Sequence, residues 1–139
     1  MKIKRIGNII LEVKDLETSI RFYHDVLGMP IKNERRNWVD LGQQSGGTLS
    51  LHPSSITTSH TGKSKENGIL IGLTIGDLQS AMEELSAANI QVFRENQERQ
   101  AGKNAIVLDP DGYMISLFEP DFSENKDKQT SGYVGFTPE

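Results

Sequence analysis

Cysteine is absent from the 139 residues. That excludes disulfides, thiolate metal sites and cysteine nucleophiles together, so stability has to come from packing. Long hydrophobic runs are missing too. No stretch reaches the roughly 18 to 20 apolar residues of a membrane span, and the opening Met1-Lys2-Ile3-Lys4-Arg5 lacks the apolar core of a signal peptide. The expected location is the cytoplasm, with no membrane partner. Positive charge is scarce: Lys and Arg number 15 against 19 for Asp and Glu, a net charge of -4, and the cations form no stripe. Nucleic acid is therefore not expected as a partner, because a duplex binder needs clustered cations to displace counterions from phosphates. Hydrophobic residues make up only 35 % of the chain, but they fall in orderly bursts. A folded domain with an ordinary two-layer core fits that pattern.

The first burst, Asn8 to Lys14, reads NIILEVK and predicts a strand. Asp15 then offers an acidic N-cap, Leu16, Ile20, Tyr23 and Leu27 recur at helical spacing, and Gly28 stands where a glycine ends a helix, so residues 15–27 are expected to be helical. Pro30-Ile31-Lys32, Trp38 to Leu41 and Thr48 to His52 follow as three extended pieces. Residues 54–67, rich in Ser, Thr, Lys and Gly, read as a linker or mobile loop. The pattern then returns. Gly68 to Ile75 predicts a strand, Asp77 caps a helix carrying Leu78, Met82 and Leu85, and strands are expected at 90–93, 104–108 and 113–118, the last two joined by the turn Asp109-Pro110-Asp111-Gly112. EVKDLETSI at 12–20 and TIGDLQSAM at 74–82 lie 62 residues apart, the spacing of an internal duplication. Residues 121–139 form a polar tail with isolated aromatics.

Two βαβββ modules, with FYHDVLGM at 22–29 in the first and DPDGY at 109–113 in the second, resemble the vicinal oxygen chelate superfamily of glyoxalases, bleomycin-resistance proteins and extradiol dioxygenases. The resemblance implies an α+β fold in which the modules form curved antiparallel sheets around a cleft. It implies a single domain over residues 1–120, with module one at 1–53, the linker at 54–67 and module two at 68–120. Homodimerisation is expected from it as well. Enzymes of that group usually hold a divalent metal with His and Glu from the first, fourth, fifth and eighth strands. Those positions here become Asn8, Ser50, Leu70 and Ser116, none of them a usual metal ligand. No metal and no other cofactor is therefore expected. The same register turns Asn8, Ile10, Glu12, Thr48, Ser50, His52, Leu70, Gly72, Thr74, Met114, Ser116 and Phe118 toward the cleft, and sends Ile9, Leu11, Val13, Leu49, Leu51, Ile71, Leu73, Ile75, Ile115 and Leu117 toward the helices.

His52 is the leading candidate for chemistry, as an imidazole aimed into a cleft, and Glu12 is a carboxylate on an otherwise aliphatic strand that could act as a base or attract a cation. Trp38 and Phe118 could stack on a planar ligand, with Asp40 and Glu119 as weaker acidic candidates. His24 is expected on the surface and His60 in the linker. No Ser/His/Asp triad and no Gly-rich phosphate loop can be argued. The leading expectation is a cleft that binds a small organic molecule without the metal, as in the bleomycin-resistance branch. Three readings compete: a metal-dependent lyase, isomerase or dioxygenase with other ligands such as His52, Glu12 and Glu119; a metal-free enzyme using His52 or Glu12 as base; and a dimerisation or regulatory module.

Overall fold

The computed structural model describes residues 1–54, 68–99 and 101–121. His60, nearly all of the expected linker and the tail beyond Asp121 lie outside the described residues. The chain divides into two compact units, Met1–Thr61 and Gly62–Glu139.

The first unit runs β1 (Ile9–Val13), α1 (Leu16–Ile20), a π-helical turn (Arg21–Val26), β2 (Ile31–Arg35), β3 (Trp38–Leu41) and β4 (Leu49–Pro53), with sheet order β1-β4-β3-β2. The second runs β5 (Ile71–Thr74), α2 (Leu78–Ala87), β6 (Val92–Arg99), β7 (Gly102–Leu108) and β8 (Met114–Pro120), with order β5-β8-β7-β6. Each unit is thus strand, helix, three strands, and the fold is α+β. The sheets are mixed, whereas the sequence led us to expect antiparallel ones. β1 pairs with β4, and β5 with β8, in parallel. A helix running back along the sheet returns the next strand in the first strand's direction, and two hairpin reversals then bring the last strand back to that sense beside the first.

Both helices start with the same device. Asp15 sits at the N-cap of α1 with extended φ -138°, and the Thr18 hydroxyl donates to its Oδ2. Asp77 caps α2, its Oδ1 accepting from the Ser80 N–H at 3.3 Å and its Oδ2 from the Ser80 hydroxyl at 2.8 Å. At α2 this acceptor satisfies a backbone N–H that has no partner within the helix, whereas at α1 the bond comes from the Thr18 hydroxyl alone. The hydroxyl bonds, Thr18 for Asp15 and Ser80 for Asp77, hold both carboxyls below the ordinary carboxylate pKa.

The first helix departs from the single α-helix expected. Leu27 N–H reaches back five residues to the Phe22 carbonyl at 2.9 Å, widening the last turn into a π-helix. This puts the consecutive rings of Phe22 and Tyr23 on the buried side, edge to face at 4.8 Å and 89°. Gly28, at φ +80°, ends the helix as the glycine spacing predicts. Its N–H donates to the His24 carbonyl at 3.1 Å, the single bond of an αL cap, and the Met29 N–H donates to the Tyr23 carbonyl at 3.0 Å. His24, expected on the surface, is half-buried and donates from Nδ1 to the Met29 carbonyl at 2.8 Å.

Packing follows the alternation of the strands. Leu11, Val13, Val39, Leu41 and Leu51 are buried in the first unit, and Ala105, Val107, Ile115 and Leu117 in the second. Ile9, placed by the register in the same inner layer, is instead 44 % exposed, because it opens an edge strand. β6 extends through Arg94-Glu95-Asn96-Gln97-Glu98-Arg99, well beyond the 90–93 expected; it is a polar edge strand with irregular pairing, and neither apolar alternation nor strand propensity marks it. The Asp109 turn forms where expected. Asp109 Oδ1 accepts from the N–H groups of Asp111 and Tyr113, both at 2.8 Å, and Gly112 supplies φ +90°. Among the described residues, no helix is long and apolar enough to cross a membrane.

Candidate functional site

One face of the first sheet gathers seven of the sequence-nominated residues. Residues at matched register positions on neighbouring strands share a face, as do alternate residues along one strand. Ile10 pairs with Ser50 and Glu12 with His52 across β1 and β4, and Ser50 pairs with Asp40 across β4 and β3. Asn8 extends the β1 series, and Trp38 stands two residues from Asp40 on β3.

Asp40 is the hub of this face. Its Oδ1 accepts from the Trp38 Nε1–H at 2.7 Å and from the Ser50 hydroxyl at 2.6 Å. The Ser50 bond leads in holding the carboxyl below its ordinary pKa of 3.8, with the Trp38 bond, the Arg35 guanidinium and the Asn33 amide adding to it. Ser50, fully buried, in turn accepts from Asn8 Nδ2 at 2.8 Å. A directed chain results, from amide to hydroxyl to carboxylate. Ionised acceptors strengthen such bonds, and each link fixes the rotamer of the next.

Beside that chain lies an aromatic pair. The rings of Trp38 and His52 have centroids 5.6 Å apart at 44°. His52 Nδ1 donates to the Asn37 carbonyl at 3.2 Å, across the β2–β3 hairpin turn where Asn37 takes φ +60°, a left-handed conformation that Asn tolerates better than most residues. Ile10, half exposed, adds an apolar wall, and Glu12, Trp38, Asp40 and His52 are all partly open to solvent. Asn33 and Arg35, which adjoin Asp40 and Trp38 in register, were missed in the sequence; the alternation in Ile31-Lys32-Asn33-Glu34-Arg35 is too weak to orient them.

The second sheet treats its nominated residues differently. Met114, Ser116 and Phe118 share a face of β8, as the register requires, and all three are buried, while Leu70 precedes β5 and is half-buried. A second polar chain occupies this face. Arg94 Nη2 donates to Asn104 Oδ1 at 3.0 Å, and Asn104 Nδ2 donates to Ser116 Oγ at 3.0 Å. Neither Arg94 nor Asn104 was nominated: Arg94 lies just past the strand expected at 90–93, and Asn104 opens the one expected at 104–108. Glu119, a candidate ligand in the sequence, accepts the Leu78 N–H at 2.8 Å and so helps to cap α2.

The family model for the Glyoxalase/Bleomycin resistance protein/Dioxygenase superfamily matches residues 5–117. The chain belongs to this superfamily. A probable lactoylglutathione lyase of Vibrio parahaemolyticus is 32 % identical over 126 residues, covering 83 % of this chain and 90 % of that protein. The lactoylglutathione lyase of Haemophilus influenzae is 30 % identical, covering 83 % and 92 %. Among solved structures, TnmS3, an antibiotic binding protein of a Streptomyces species, superposes with a TM-score of 0.70 at 20 % identity, covering 87 % of this chain and 99 % of that one; at that identity the likeness concerns the fold.

Asn8 and Ser50, two of the four positions that the sequence resemblance pointed to as ligand positions, are bonded to each other. Asn8 presents its amide nitrogen to Ser50, and the Ser50 proton is committed to Asp40. A divalent ion needs several carboxylate, imidazole or carbonyl donors converging with lone pairs free. Asn8, Ser50, Leu70 and Ser116, the positions to which the sequence resemblance points, offer no carboxylate or imidazole to such an ion. Among the described residues, no group of three or more His, Cys, Asp or Glu side chains is placed to hold a metal ion.

Proposed function

We propose that this superfamily member binds a small organic molecule on the β1–β4–β3 face of its first sheet, without the metal that the superfamily's enzymes use there. The ligand we favour is a planar organic cation, stacked against Trp38 and His52 and held by Asp40 with help from Glu12. The observation that carries this reading is the pair of hydrogen bonds converging on Asp40 Oδ1. They keep the carboxylate ionised and oriented next to an exposed aromatic surface, which favours a ligand with a flat ring and a positive charge. An antibiotic binding protein of the same fold supports this reading.

Trp38 is the only tryptophan in the chain, so its emission reports directly on the site. Titration with proflavine, a cation at neutral pH, is expected to quench that emission saturably, and acridine, uncharged at the same pH, to bind at least tenfold more weakly. Asp40→Asn should abolish the preference. Equal binding of the two dyes, or an unchanged preference in Asp40→Asn, would refute the cationic ligand.

A second reading rests on the curated relatives named as lactoylglutathione lyases. It makes the protein a lyase with its metal held by other ligands, or a metal-free enzyme in which Glu12 or His52, partners across β1 and β4, serves as base. An assay with S-lactoylglutathione, run with and without added Zn²⁺ or Ni²⁺, separates the readings. The binding proposal predicts no turnover above background in either condition. Metal-dependent turnover favours the lyase; metal-free turnover lost in Glu12→Gln or His52→Ala favours the second enzyme.

A further inference from the structure

Residues ahead of β1 have a composition unlike the rest of the chain. Three of its 15 lysines and arginines, Lys2, Lys4 and Arg5, stand in the first five residues, ahead of all 19 carboxylate side chains. Between and beside them are Ile3 and Ile6, each 80 % exposed. Large aliphatic side chains left this open each forgo burial of the order of 1.5 to 3 kcal/mol. The arm is thus cationic and apolar at once, and nothing described in its own chain covers it.

A surface of the opposite kind lies in the second unit. An open groove of about 700 Å³ runs between α2 and the β6–β7 hairpin. Its apolar lining comes from Leu78, Met82, Ile90 and Val92, its wall carries Glu83 and Glu95, and Lys103 is the one cation among the described residues that line it. Met82, Ile90 and Val92 are half-buried, which leaves a strip of apolar surface bordered by carboxylates. A partner that fits must bring aliphatic groups spaced among cations.

We propose that the groove receives the arm Met1–Ile6 of a second copy of this chain. Ile3 and Ile6 supply the apolar contacts, while Lys2, Lys4 and Arg5 face Glu83 and Glu95. The charge match favours this occupant. The chain as a whole is acidic, so two copies repel at long range unless cationic and anionic patches are brought together, and the arm is its most concentrated cationic segment outside the groove's own unit. The dimer expected from the superfamily resemblance thereby acquires a specific contact, independent of any ligand on the first sheet.

Sedimentation equilibrium on the full chain tests this by charge reversal. Lys4→Glu with Arg5→Glu in one protein, and Glu83→Lys with Glu95→Lys in another, should each weaken dimerisation at least tenfold in dissociation constant. All four together should recover most of that loss. Raising NaCl from 0.05 to 0.5 M should weaken the wild-type dimer in the same direction. These positions are exposed, and unchanged circular dichroism checks that the variants fold. A wild-type chain that stays monomeric at every concentration overturns the proposal, as does a dimer indifferent to both reversals or unrestored by their combination.

Discussion

At Asp40 two donors end on one oxygen, and the consequences are local and measurable. Ser50 is fully buried between Asn8 and Asp40, so Ser50→Ala strands an amide and removes the leading donor to a carboxylate. We expect a loss of about 1 to 3 kcal/mol, read from urea unfolding monitored at Trp38. Asp40 also links stability to pH. Its folded pKa is lowered, so its contribution is present above the unfolded value, about 4, and is lost as pH falls through the folded value. Asp40→Asn should therefore flatten the acid limb of stability below about pH 4 while leaving the slope from pH 6 to 8 unchanged. An acid limb identical to wild type would mean that Asp40 is not held ionised by its neighbours.

The helix ends and turns are where sequence and structure meet most closely. Gly28 takes φ +80° in the cap that closes the first helix. Gly28→Ala should cost about 1 to 2 kcal/mol, since only glycine enters the left-handed region freely. In the second unit, Glu119→Gln keeps an acceptor for the Leu78 N–H but removes the charge near the N-terminus of α2, whereas Glu119→Ala removes both. Thermal unfolding should rank the alanine variant below the glutamine variant, and the glutamine variant at or just below wild type. Such elements were legible because local chemistry specifies them: Asp-Leu followed by Thr or Ser two residues on, glycine after the last helical turn, Asp-Pro-Asp-Gly between strands. The polar stretch of β6 beyond Phe93 was not, because it is held by pairing along an edge, and the π-helical turn was not, because it answers to the packing of Phe22 and Tyr23. In the site, the face shared by Asn8, Ile10, Glu12, Ser50 and His52 followed from strand alternation in the register that the family resemblance set. The bond from Trp38 to Asp40 and the part played by Asn33, Arg35, Arg94 and Asn104 depend on side-chain directions that no periodicity encodes.

Across the whole chain, two sheets of like strand order differ in what they expose. The first leaves its nominated face partly open around an anionic hub; the second buries Met114, Ser116 and Phe118 and carries the cationic Arg94 beside Asn104. Binding on the first face without a metal is the central claim, and native mass spectrometry of protein purified without chelator addresses it most directly. The account predicts a chain free of stoichiometric Zn, Ni, Mn or Fe that gains the mass of proflavine on titration, a gain lost in Asp40→Asn. One equivalent of a divalent metal carried through purification, with no organic ligand taken up, would contradict it.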